Sequence, residues 1–185
     1  DMILADQASA LVERFDPTSQ AWSALPPLQQ RRWAPAIVAL LDGRLLVLGD
    51  LPPYADERSE LFAEVFDPRD SMWAPVSGDD TFPYERFTTT LLPGGRVLVA
   101  GGDSSKAWLF DPATKAMWPA ASMLETHPYA GAALVPGHGV LLFDGQPPEL
   151  YTALGAPCAA EADCLGSLCV AGACRLPRPR QLPHP

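Results

Sequence analysis

The sequence lacks several things, and each absence removes a class of protein. No stretch approaches the ~18 consecutive apolar residues of a membrane-spanning helix, so no helical span is expected. Runs of Lys and Glu that would favour long helices are missing. Basic residues are few: 13 Lys and Arg stand against 22 Asp and Glu, a net charge of −9. An acidic surface repels phosphates and anionic lipid heads, which argues against nucleic acid and membrane surfaces as partners. The chain opens at Asp1 without a basic stretch followed by an apolar one, so we expect either a removed signal or a segment of a longer protein. Neither a Gly-x-Ser-x-Gly elbow, a His-Glu-x-x-His pair nor a phosphate loop occurs, and no catalytic constellation or cofactor is expected.

What remains is globular in composition, 48% hydrophobic and 19% charged. The 21 prolines favour short strands and many turns. The strongest signal is an internal repeat. VERFDPTSQAW (12–22), AEVFDPRDSMW (63–73) and AWLFDPATKAMW (107–118) share an aromatic, then Asp-Pro, then a Trp six or seven residues after the Asp. The repeat-structural residues are Phe15, Asp16 and Trp22; Phe66, Asp67 and Trp73; and Phe110, Asp111 and Trp118. Phe-Asp-Pro recurs at spacings of 51 and 44 residues.

A second set follows each copy: IVALLDGRLLVLGD (37–50), TTLLPGGRVLVAGG (89–102) and ALVPGHGVLLFDG (133–145). Apolar runs flank Asp42-Gly43, Gly94-Gly95 and Gly137-His138-Gly139, which reads as strand, tight turn, strand. The Asp-Pro ends a third strand, because Asp accepts local backbone hydrogen bonds and Pro presets φ for a turn. The Trp opens a fourth strand and offers a flat face for packing.

These units resemble the kelch repeat family in its bacterial form, through the Gly101-Gly102 pair, the aromatic-Asp-Pro and the spaced Trp. The resemblance covers roughly residues 3–152. It implies an all-β fold of kelch-type β-propeller blades, about three of them in an incomplete ring. A β-sandwich of short strands is the rival. The corresponding glycine pairs read Gly49-Asp50 and Asp144-Gly145, and after Pro147-Pro148 only ELYT (149–152) remains. The shortfall in blades leaves two expectations: a piece of a longer chain, or two chains joined across a two-fold axis, with self-association through unpaired blade edges.

All four cysteines, Cys158, Cys164, Cys169 and Cys174, fall in a short Ala- and Gly-rich stretch. The spacing contains no C-x2-C pair and no His lies near, so two disulfides are expected over a zinc site, with three connectivities open. Disulfides imply an oxidising compartment, hence a secreted or cell-envelope protein. The stretch also resembles short cysteine-rich modules of secreted bacterial proteins. The divisions expected are therefore 1–152 for the partial propeller, 153–176 for the cysteine module and 177–185 for a Pro-rich tail.

In a propeller, two sets of loops share one rim, and loops on a rigid frame tend to carry function. Here those loops contain Arg32 and Trp33, Tyr84 and Arg86, and His127 and Tyr129; Tyr54 lies in a long acidic loop. Aromatics for stacking beside charged groups suggest a glycan or protein ligand. The expected function is non-catalytic binding or scaffolding outside the cytoplasm, with propeller loops presented to that ligand. The alternative is a fragment of a galactose-oxidase-like kelch enzyme whose catalytic residues lie elsewhere. Among His127, His138 and His184, none follows a Tyr as that copper chemistry requires.

Overall fold

Short strands, several of them joined by tight turns, make up the described part of the computed structural model. It describes residues 9–32, 35–49, 62–78, 86–135, 138–145 and 147–151, and the backbone of 168–170 and 173–175. Among the described residues every named element is a strand. β1 (Val12–Asp16) and β2 (Ala21–Leu25) form a hairpin. β3 (Ala36–Ala39), β4 (Leu45–Leu48), β5 (Ala63–Asp67) and β6 (Met72–Pro75) form a four-stranded antiparallel sheet in chain order. β7 (Phe87–Leu91), β8 (Val97–Gly101), β9 (Trp108–Asp111) and β10 (Ala116–Pro119) form a second. β11 (Gly131–Val135), β12 (Gly139–Phe143) and β13 (Glu149–Tyr151) make a three-stranded sheet, and β14 (Leu168–Val170) with β15 (Ala173–Arg175) a separate hairpin.

The turns explain why strands stop where they do. Gly43 and Gly95 adopt φ of 87° and 84° between β3 and β4 and between β7 and β8, a conformation glycine reaches without steric cost. At the Asp-Pro turns, Asp16, Asp67 and Asp111 each accept the backbone N–H two residues on, at 2.8, 3.0 and 2.8 Å. Each turn then closes through a left-handed residue, Gln20, Ser71 or Lys115, with φ of 55°, 58° and 53°. Asp67 is further held by the Arg69 side chain, which together with the Arg69 N–H lowers its pKa to about 2.

Alternation along the strands gives the two four-stranded sheets two apolar faces each, and the sheets pack in series. Leu46, Leu48, Ala63 and Val65 meet Val97, Val99, Trp108 and Phe110 of the next sheet. The far face of that sheet, with Leu98, Ala100 and Leu109, meets Val140, Leu142 and Tyr151. At the other end Leu45, Val47, Phe66 and Trp73 pack against Val12, Leu25 and Leu28.

Two expectations are corrected. The kelch-type propeller, even as an incomplete ring, is not what forms: the four sheets of residues 12–151 are separate, open and antiparallel. The first hairpin and the three-stranded sheet share neither a ladder nor a core cluster among the described residues, so serial stacking does not close. A repeat that builds a sheet dictates the sheet and its packing on the next one; it does not dictate closure. The disulfide-rich module is likewise unsupported: no disulfide is found among the described residues, which include no cysteine side chain. Cys158 and Cys164 lie outside them. Cys169 and Cys174 are opposite partners in the β14–β15 ladder.

Trp118 also departs from its expected place. Trp22 and Trp73 stand directly opposite Phe15 and Phe66. Opposite Phe110 stands Met117, while Trp118 pairs with Leu109. One extra residue before the Trp moves it to the other sheet face, where the Arg96 guanidinium lies 5.5 Å from its ring.

Candidate functional site

Glu64 is an acidic residue on a buried β5 face, and its carboxylate needs compensation there. Gln29 and Gln30 donate their N–H groups to it at 2.8 and 3.3 Å, and Arg32 donates from 3.0 Å. Arg32 is equally buried and also donates to the carbonyls of Gly49 and Phe62, at 3.1 and 2.9 Å. Burial lowers the Arg32 pKa, while Glu64 works to raise it. The Trp73 indole N–H donates to the Pro26 carbonyl at 2.8 Å, and Leu28 enters the same cluster. Residues Pro26–Arg32 thus form a strap across Glu64, Phe66 and Trp73.

The three-stranded sheet repeats this arrangement with different side chains. Glu149 accepts the N–H groups of Leu124 and Glu125, at 2.9 and 3.4 Å. His127 Nε2–H donates to Glu149 at 3.2 Å, and its Nδ1 lies 3.3 Å from Asp144, outside hydrogen-bonding alignment. The Tyr151 hydroxyl donates to the Ala121 carbonyl at 2.8 Å, and Met123 is buried in the cluster beneath. Register makes the two sets equivalent: Ala36 opposite Leu48 corresponds to Gly131 opposite Phe143, and Leu45 opposite Phe66 to Val140 opposite Tyr151. His127 therefore occupies the place of Arg32, Met123 that of Leu28, and Ala121 that of Pro26.

A buried His between two carboxylates resembles acid–base machinery in isolation. It stands where Arg32 stands, as the side-chain partner of the carboxylate that the strap crosses. Gly101 belongs to the same arrangement: with φ of 88°, a Cβ there would lie 2.7 Å from the His127 carbonyl oxygen. Gly102 N–H donates to that oxygen at 3.0 Å. The middle sheet has the fully buried Trp108 where the others have Glu.

Burial pushes the Tyr151 phenol up to about 12. Its folded pKa thus exceeds the usual ~10 of an unfolded tyrosine, so the associated stability is complete below pH ~10 and is lost as pH rises towards ~12. The total is about 2–3 kcal/mol. An absorbance titration is expected to show one tyrosine ionising late, and Tyr151→Phe to remove it. If all tyrosines ionised together in the wild type, the hydroxyl would not be buried as described.

The rim residues expected from sequence fall in different places among the described residues. Arg32 and His127 are buried and committed to carboxylates, so neither faces a ligand. Arg86 and Tyr129 do come together, with the guanidinium 5.1 Å from the exposed ring and 3.1 Å from Asp103. Trp33, Tyr54 and Tyr84 lie outside the described residues. Among the described residues no group of three or more His, Cys, Asp or Glu side chains is placed to hold a metal ion.

The register that relates the straps exposes a surface that sequence reading missed. Glu13, Phe15 and Trp22 on the first hairpin correspond to Glu64, Phe66 and Trp73. The ring pairs have matching geometry, 5.2 Å and 46° for Phe15–Trp22 against 5.0 Å and 43° for Phe66–Trp73. Their surroundings differ sharply: Phe15 and Trp22 are 45% and 66% exposed, Phe66 and Trp73 only 4% and 6%. The flank of β1 away from β2, which carries no strand among the described residues, adds to this surface. β5, β9 and β13 each have a preceding strand on that flank, whereas β1 pairs with β2 alone among the described residues.

Comparison with models of protein families finds none that matches, and no curated protein matches the chain. The two functional expectations tied to the propeller, rim-loop binding of a glycan or protein and a galactose-oxidase-like enzyme fragment, fall with that fold.

Proposed function

We propose that the chain holds another polypeptide on its first hairpin, as a non-catalytic association module. The observation that carries this reading is the exposure of Phe15 and Trp22 in an arrangement that is buried wherever Phe66 and Trp73 repeat it. Burying two large aromatics is worth roughly 1.5–3 kcal/mol each before the costs of association. Among the described residues no strand pairs with the outer flank of β1, whose backbone donors and acceptors suit an added strand, a common way of taking up an extended segment.

Two measurements test it on the full chain. Sedimentation at rising concentration is expected to show self-association of the wild type that Phe15→Ser/Trp22→Ser weakens, since uncovered aromatic faces find one another when no partner is present. An apolar dye is expected to bind the wild type more strongly than the double variant. A wild type that stays monomeric and binds dye no better than the variant would overturn the proposal.

A further inference from the structure

We propose that Glu13, Phe15 and Trp22 form a receptor for one kind of segment: a seven-residue strap from a partner protein, with an apolar third residue and Arg or His at the seventh. This deepens the association reading above and rests on it. The specificity comes from the two receptors of the same register that are already filled.

In each filled receptor the first strap residue offers a carbonyl, Pro26 to the Trp73 indole and Ala121 to the Tyr151 hydroxyl. The third is apolar and buried, Leu28 or Met123. The fourth and fifth donate backbone N–H groups to the carboxylate, from Gln29 and Gln30 to Glu64 and from Leu124 and Glu125 to Glu149. The seventh brings a side-chain nitrogen to the carboxylate, Arg32 to Glu64 and His127 to Glu149. Trp22 supplies the indole N–H that Trp73 supplies, Phe15 the ring, and Glu13 the carboxylate.

Charge complementarity selects the seventh residue. A carboxylate that is covered without a cation and amide donors is left desolvated and unpaired, which is costly. A purely apolar segment would therefore cover the rings but strand Glu13. A proline at the fourth or fifth position would remove a needed donor. A second copy of the chain is a poor source, because both of its described straps already lie on its own sheets. The tail places Arg180 four residues after Leu176, as the pattern asks, but puts Pro177 at a donor position. The occupant we commit to is therefore a different polypeptide.

The probe is a labelled synthetic peptide with the sequence of residues 26–33, Pro-Pro-Leu-Gln-Gln-Arg-Arg-Trp, titrated into the full chain and read by fluorescence anisotropy. Saturable binding is expected. Glu13→Gln, Trp22→Ala and a peptide with Gln at the seventh position are each expected to weaken it about tenfold or more. The Glu13→Gln chain separates this receptor from displacement of the chain's own strap at Glu64. No saturable binding, equal binding by the Arg and Gln peptides, or binding indifferent to Glu13 would each overturn the strap. If Phe15→Ser/Trp22→Ser still alters sedimentation and dye binding in that event, the association reading stands without the strap. If it alters neither, both fall. Self-association that the peptide does not displace would assign the face to a second copy.

Discussion

Replacing Glu64 by Ala is expected to lower the free energy of unfolding by about 3–5 kcal/mol, a large part of the ~5–15 kcal/mol typical of a domain. The carboxylate is fully buried and compensates Arg32 and two backbone N–H groups. Removing it takes a carboxylate 3.0 Å away from a buried guanidinium that also bonds two carbonyls. Arg32→Ala is expected to cost a similar amount, because it strands Glu64. The pair itself need not contribute that much: desolvating both ions offsets much of their attraction. Arg32→Met/Glu64→Leu is therefore expected to cost less than the sum of the single changes. Urea unfolding followed by tryptophan emission measures all three. A Glu64→Ala loss below about 1 kcal/mol would show that the strap is not held by its charge.

The position of this brace in the repeat was open to reading. Glu13-Arg-Phe15, Glu64-Val-Phe66 and Glu149-Leu-Tyr151 put an acid two residues before the aromatic in three copies, with Trp108-Leu-Phe110 as the exception. In a strand that spacing places acid and ring on one face. An acid on a face that buries its aromatic has to be paired. What sequence could not supply was the partner, since Gln29, Gln30 and Arg32 lie more than 30 residues from Glu64.

Local chemistry was the legible part of the fold. The glycine turns at Gly43 and Gly95 and the Asp-Pro turns are set by φ and by short-range hydrogen bonds, which depend on neighbouring residues alone. The spacing of Trp118 was also visible, seven residues after Asp111 instead of six, and it moves the ring across the sheet. Closure into a ring was not legible, because it depends on faces meeting at the two ends of the stack. The loop residues gathered as a rim were misread for a related reason. Arg32 and His127 are polar residues between strands, where exposure is the usual expectation; they are buried because each reaches a carboxylate on the sheet that its strap crosses.

Trp73→Ala and Trp22→Ala make the most direct comparison of a covered and an uncovered copy of one feature. Trp73→Ala is expected to cost about 3–5 kcal/mol, the range for deleting a large buried aromatic. It removes a ring packed with Phe66, Leu28 and Val47, and also the N–H bonded to Pro26. The strap then loses a carbonyl contact as well as its apolar floor, so Glu64 is weakened in the same step. Trp22→Ala removes an equivalent ring 5.2 Å from Phe15 that is two-thirds exposed, and is expected to change stability by less than about 1 kcal/mol. The difference between the two positions measures what covering the face contributes. It also separates fold from function at one repeat position, because Trp22 should matter to association and dye binding while mattering little to unfolding. Equal, large losses at both positions would mean that Trp22 is packed in the folded chain. The first hairpin would then have no uncovered face to offer a partner.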